Sequence, residues 1–225
     1  MADGGTVIPL RGIRGMVADK MVKSLHEAAQ LTHHATCDAS GLLAKKQALT
    51  DGGNQVSVED VLIHTLVTVL KRHNGINGIL TDREIHLSPQ VHLSIAIALP
   101  ENLLVAPAIF NADELSVLEL SAARHDLATR ARNNKLTVKE MTGGTFTISN
   151  LGLTRVEQFT PILNTPQIGI LGVGCMVEKP VRTDDGLVWK SYMGLSLTFD
   201  HRAIDGAPAA QFLSDLCEAI EDLSP

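Results

Sequence analysis

The sequence predicts an α/β fold, a single domain in which helices flank a mixed β-sheet. Three observations carry this. Helical and strand periodicities alternate irregularly along the 225 residues, without an internal repeat. The length suits one large domain with a real hydrophobic core. No Ala/Pro-rich linker or low-complexity tract divides the chain.

The elements follow in order. Residues 13–30 carry a helical pattern, with Ile13, Val17, Met21, Leu25 and Ala28 on one side and Asp19, Lys20, Lys23 and Glu27 away from it. Residues 32–39 read as a short strand. Residues 42–49 read as a short helix closed by Asp51-Gly52-Gly53. Ser57 with Asp60 forms a helix N-cap with an acidic first turn. Val61, Leu62, Leu66, Val69 and Leu70 continue that helix until Asn74-Gly75.

The period then switches to two. Val91, Leu93, Ile95, Ile97 and Leu99 share one face of a strand over 91–99. A second strand is expected over 103–109, with Pro107 placing it at an edge or a strand end. Residues 114–132 return to a helical stripe, and Thr137 with Glu140 reads as a capping box. Strands are expected at 145–149, 168–177 and 187–199, the last two joined by an Asp185-Gly186 turn. Residues 208–223 form the closing helix, burying Phe212, Leu213, Leu216, Cys217 and Ile220.

Composition excludes several functions. A net charge of −6 and a pI near 5.8 argue against a polyanion-binding surface. One Trp and one Tyr cannot build a base-stacking platform. Cys37, Cys175 and Cys217 are odd in number and lack metal-type spacing, so they read as small buried residues of a reducing compartment. No signal peptide or membrane-length apolar run is present, and a cytoplasmic protein is expected.

Two segments can carry chemistry. In Phe199-Asp200-His201-Arg202-Ala203-Ile204-Asp205-Gly206, a histidine leaves the end of a strand and an aspartate follows four residues later. Held there, an imidazole can serve as the base for a thiol, which with a pKa of about 8.5 is mostly protonated at neutral pH. The same spacing also fits a helical hydrogen-bond pair or two metal ligands. In residues 143–152 the strand ends in Ser149-Asn150. These side chains either cap a turn or aim the Ser149 hydroxyl at a developing oxyanion.

Taken together, these segments resemble the catalytic domain of the dihydrolipoamide acyltransferases of 2-oxoacid dehydrogenase complexes. The likeness rests on Pro9-Leu10-Arg11-Gly12-Ile13-Arg14; on Lys135-Leu136 with Thr145-Phe146-Thr147-Ile148-Ser149-Asn150-Leu151-Gly152; on Gln158-Phe159-Thr160-Pro161-Ile162 leading to Gly169-Ile170-Leu171-Gly172-Val173-Gly174; and on residues 195–206. These segments occur in the family's order across residues 7–223.

The resemblance implies a chloramphenicol-acetyltransferase-like fold and a homotrimer with active sites between subunits. It implies acyl transfer between coenzyme A and a dihydrolipoyl or other thiol acceptor, without a metal. His201 matches the family's general base, Ser149 the hydroxyl that stabilises the tetrahedral oxyanion, and Asp205 the motif aspartate that orients the histidine or anchors the loop through an arginine. Gly206 is expected to supply a tight turn before the last helix.

Alternatives at this level are coenzyme A-dependent acylation of a small hydroxyl or amine, and a non-catalytic trimeric scaffold. The domain is expected over residues 7–225 behind a short tail, 1–6, with neither a lipoyl nor a peripheral-subunit-binding domain. The lipoyl group would then be supplied in trans, by a lipoyl domain or dehydrogenase partner. A short C-terminus predicts a trimer that assembles no further. Relative to the family pattern, Thr32, Leu103 and Thr165 stand where proline, glycine and proline are usual, near the substrate entrance.

Other residues are discounted. Lys20 follows Asp19 as a lipoate-bearing lysine would, but it sits on a helix and reads as solvated. His33 and His34 are adjacent on a strand and face opposite ways, though the family places this segment near the substrate channel. His64, His73, His86, His92 and His125 read as surface or satisfied core residues. Gly172-Val173-Gly174 lies inside a strand, without the third glycine of a dinucleotide site.

Overall fold

The computed structural model describes residues 6–100, 103–184 and 186–224. In chain order the elements are α1 (Gly12–Glu27), β1 (Gln30–Asp38), α2 (Ser40–Asp51), α3 (Val58–Arg72), β2 (Gly78–Thr81), β3 (Glu84–Leu87), β4 (Leu93–Ile95), β5 (Ile97–Leu99), β6 (Leu103–Val105), β7 (Ala108–Ile109), α4 (Val117–Arg132), α5 (Val138–Thr142), β8 (Phe146–Asn150), β9 (Gly169–Thr183), β10 (Gly186–Asp200) and α6 (Gly206–Glu221). Among the described residues, no helix is long and apolar enough to cross a membrane.

Six strands form the main sheet in the order β1-β10-β9-β8-β4-β7. The β9–β8 and β8–β4 pairs are parallel and the rest antiparallel, so the sheet is mixed, as expected. Period-two alternation assigns its faces. Phe146, Ile148, Leu171, Val173, Leu195, Leu197 and Phe199 are buried in the main core with residues of α2, α3, α4 and α6. Thr147, Ile170, Gly172, Ser196 and Thr198 face the other way, toward α1 and the crossing segment over 151–168.

That segment lies flat because glycines let it. A side chain on Gly172 would meet the Phe159 ring, and one on either Gly174 or Gly194 would collide with the Glu157 carbonyl. The Gly172-Val173-Gly174 pattern therefore serves close backbone approach. Ser24 donates to the Leu163 carbonyl at 2.7 Å and fixes α1 over this layer.

Three helices start on reciprocal capping boxes, Ser57 with Asp60, Ser116 with Glu119 and Thr137 with Glu140. The first doubles as a buried ionic node. Asp60 is fully buried and accepts from Arg124 at 2.7 Å and from the Ser57 amide and hydroxyl at 2.8 and 2.7 Å.

Two expectations need correction, and two further features went unforeseen. The strand over 91–99 is two strands: the Ala96 amide still bonds the Ile148 carbonyl of the main sheet at 2.9 Å, and from Ile97 the chain pairs with β6 instead. The strand over 103–109 likewise splits at Pro107 into β6, which pairs with β5, and β7 at the sheet edge. The β2–β3 hairpin went unread because its turn residues, Asp82 and Arg83, both adopt positive φ without a glycine. The apolar stripe of α1 is only partly covered: Ala28 is buried and Val17 and Met21 half-buried, while Ile13 and Leu25 are half or more exposed. Among the described residues, Leu163 of the crossing segment and Ile170 of β9 pack with Ala28 beneath the end of that helix. In the expected β9–β10 turn, Asp185 lies outside the described residues, and Gly186 has φ of 123°.

Burial alone pushes the Asp60 carboxyl up, but the hydrogen bonds from Arg124 and Ser57 outweigh it and hold it below its ordinary value. Its contribution is thus present above the unfolded pKa of about 3.9 and is lost as pH falls through the lower folded value. Arg124→Ala strands this buried carboxylate and is expected to cost about 3 kcal/mol at neutral pH. Urea titrations should show the gap to wild type narrowing as pH falls below about 4.

Candidate active site

His201 follows directly on the last residue of β10, and its amide donates to the Ala29 carbonyl at 2.8 Å. Its ring is 44% exposed and packs against Phe199, with centroids 5.9 Å apart. The imidazole is thus presented to solvent from the end of a rigid strand.

Asp200 holds that presentation. Its side chain is 3% exposed and accepts from the Arg202 guanidinium at 2.6 to 3.1 Å, the Arg202 amide at 3.0 Å and the Ala29 amide at 3.3 Å. Burial pushes its pKa up, yet the Arg202 contacts prevail and keep it lowered. The Asp200 carbonyl also accepts from Ala203 and Ile204 at 2.9 and 3.0 Å, closing the turn. Sequence reasoning looked for the anchor at Asp205 and missed Asp200. The available signal was its place on the same strand face as Ser196 and Thr198, where a carboxylate needs a partner.

Asp205 instead sits at the N-cap position of α6, making no side-chain capping bond. Its carboxylate is 87% exposed and 3.8 Å from His201 Nδ1. That exceeds hydrogen-bond range, so Asp205 does not bond the ring. Gly206 is the first residue of α6 and does not adopt positive φ, so the expected glycine turn is absent.

His33 and His34 do face opposite ways. His34 Nδ1 lies 2.9 Å from the Ser196 hydroxyl. The His33 ring stacks edge-on to Phe199 at 5.0 Å, and its Nδ1 is buried without a partner.

Ser149 is half-buried near the end of β8, on the sheet face opposite Asn150. Asn150 is clamped on the helix side, donating to Glu59 at 3.2 Å and accepting from Gly152 N at 2.7 Å. The ladder runs Ser149 to Gly172 to Ser196. His201 lies five residues beyond Ser196 and two strands across from β8. At about 3.3 Å per residue and 4.8 Å per strand, it is roughly 20 Å from Ser149. One chain does not bring these two side chains onto one reacting atom.

An open cleft of about 1100 Å³ borders the Asp200–Arg202 pair. Its lining mixes Lys20, Lys23, Arg83 and Arg202 with the carboxylates of Glu27, Asp82 and Asp200. Lys20 bonds only an amide oxygen, that of Asn164, at 2.5 Å.

Comparison with known proteins converges on one family. Residues 2–225 match the family model described as 2-oxoacid dehydrogenases acyltransferase (catalytic domain). The chain is 39% identical over 220 residues to the dihydrolipoyllysine-residue acetyltransferase component of the acetoin cleaving system of Bacillus subtilis, covering 96% of this chain and 55% of that protein. It thus spans about half the length of the curated relatives it matches.

Among solved structures, a probable dihydrolipoamide acetyltransferase from Listeria monocytogenes superposes with a TM-score of 0.91 at 32% identity, covering 99% of this chain and 97% of that one. The Azotobacter vinelandii dihydrolipoamide acetyltransferase gives 0.87 at 30% identity, covering 96% and 91%. The latter was studied for the roles of a serine, a histidine and an asparagine in its catalytic mechanism. The sequence intervals between those residues equal the intervals between Ser149, His201 and Asp205. A chloramphenicol acetyltransferase, at 14% identity and a TM-score of 0.55, shares the fold.

Asp200→Ala is expected to cost about 1.5 kcal/mol in chemical denaturation, because Arg202 and the Ala29 amide lose their acceptor while the half-exposed guanidinium stays solvated. Amide exchange at His201 should accelerate in the same variant, a local loosening that wild-type rates would disprove.

Proposed function

Because the chain belongs to the 2-oxoacid dehydrogenase acyltransferase catalytic-domain family, we propose that it moves an acyl group between coenzyme A and a dihydrolipoyl thiol, with His201 as base and Ser149 as oxyanion donor. The observation that carries this reading is the match in type and interval of Ser149 and His201 to the serine and histidine studied in the Azotobacter enzyme. The third member differs, Asp205 standing where that enzyme has asparagine.

His201 Nε2 accepts the thiol proton as the sulfur attacks the thioester carbonyl. The carbonyl oxygen gains negative charge, and the Ser149 hydroxyl donates to it. Collapse of the tetrahedral intermediate expels the other thiolate, to which His201 returns the proton. Asp205 acts on the base only through charge at 3.8 Å, and its exposure keeps that effect small.

The separation of roughly 20 Å between Ser149 and His201 within one chain supports a site shared between subunits of a homotrimer. The exposed apolar residues of α1 and the segment before it, Ile8, Leu10, Ile13, Met16 and Leu25, fit a subunit interface.

His201→Ala is expected to keep its oligomeric state and lose at least about a hundredfold in acyl transfer from acyl-coenzyme A to dihydrolipoamide. Ser149→Ala should lose a similar factor, also about a hundredfold. Co-expressing the two variants tests the shared site. Random trimers would then hold intact sites with His201 from one subunit and Ser149 from another, restoring up to about a quarter of wild-type activity. No recovery in trimers shown to contain both variants would place the site within one chain. Activity toward small alcohols or amines, with none toward dihydrolipoamide, would overturn the acceptor.

A further inference from the structure

Cys37 and Cys217 lie far apart in sequence yet meet between β1 and α6. The helix runs alongside the strand. At its start, the His33 ring is 3.8 Å from where a Gly206 side chain would begin. At its end, Glu221 accepts from the Asp38 amide at 3.0 Å, and a side chain on Gly41 would meet the Ile220 carbonyl.

The lengths agree. Residues 206–217 rise about 16 Å along a helix, and residues 33–37 about 13 Å along a strand. Cys37 therefore sits on the strand face toward α6, and Cys217 one helical turn before Glu221. The Cys37 thiol is fully buried and donates to the Met193 carbonyl at 3.8 Å. The Cys217 thiol is half-buried and faces Cys37 across the seam between α6 and β1. Cys175, on β9, lies apart from this pair.

We propose that Cys37 and Cys217 are a thiol-oxidation site, which a peroxide converts into a disulfide stapling α6 to β1. The two sulfurs have distinct roles. Contact with Cys37 lowers the pKa of Cys217, against its burial and the nearby carboxylates of Glu221 and Glu218. The same contact and its own burial raise that of Cys37. Cys217 is thus the thiolate that attacks, and Cys37 resolves.

The Cys217 sulfur attacks one oxygen of hydrogen peroxide, the O–O bond breaks, and the departing hydroxide takes a proton to leave as water. Cys37 sulfur then displaces hydroxide from the Cys217 sulfenic acid, and its own proton completes the second water. Two thiols are oxidised by two electrons, and the peroxide is reduced to two waters. The bond closes a long loop and constrains the unfolded chain, so the oxidised protein gains stability. His201 lies beyond the other end of α6, so catalysis is untouched.

The test treats the full chain with hydrogen peroxide at a few equivalents. The intact mass should fall by two hydrogen atoms, titratable thiols should drop from three to one, and peptide mapping should join Cys37 to Cys217. The melting temperature should rise by about 5 °C or more, and dithiothreitol should reverse every change. Cys217→Ser should abolish the response and Cys175→Ser should preserve it. Cys37→Ala should abolish it too, which keeps the test sound if one variant folds poorly. Both thiols remaining alkylatable after peroxide has consumed Cys175, or a link formed only between chains, would overturn the proposal.

Discussion

The backbone ladder joining β9 to β8 and β10 indexes nearly every position that matters in this chain. Through it Ser149 stands opposite Gly172 and Gly172 opposite Ser196. A slip of one residue would turn Phe146, Ile148, Leu195, Leu197 and Phe199 out of the core and bring Thr147, Ser196 and Thr198 into it, so burial locks the register. The same register sets the distance between the serine and the histidine. Gly172, Gly174 and Gly194 extend its influence to the second face, since only bare backbone admits the segment through Glu157 and Phe159.

Buried ion pairs fix the ends of that ladder. Asp200 with Arg202 closes the turn that carries His201, while Asp60 with Arg124 joins the starts of α3 and the body of α4. Next to that second node, Glu59 meets Arg124 at 3.3 Å and holds the Asn150 side chain. The strand end carrying Ser149 is thereby tied into the helical layer. Both nodes pair a carboxylate nearly devoid of solvent with a guanidinium, the planar donor best suited to it. Desolvation makes each pair modest as a net stabiliser, yet makes loss of either partner expensive. Such nodes specify position more than they add stability.

Much of this was legible in the chain. Ser57 with Asp60 and Thr137 with Glu140 announced two helix starts, because a capping box depends only on residues three apart. Alternation marked β8, β9, β10 and the face each residue takes. Where reading failed, a distant partner decided. Beyond Ala96 the chain finds its partner in β6 rather than in the main sheet, and the β2–β3 turn accepts positive φ at Asp82 and Arg83 without a glycine to signal it. Asp200 escaped notice because its role appears only when Ala29 and Arg202 converge on it.

The sequence by itself determined the mixed α/β class and the helix caps, which follow from local periodicity and residue type and need no knowledge of partners. It singled out His201, Asp205 and Ser149 through the segments that resemble the acyltransferase family. Tertiary structure alone decided that Asp200 rather than Asp205 anchors the histidine turn, that Ser149 and His201 lie far apart within one chain, and that Cys37 and Cys217 share the seam between β1 and α6. Each of these is a relation between segments distant in sequence. Such relations arise only when burial has chosen one register and one helix orientation.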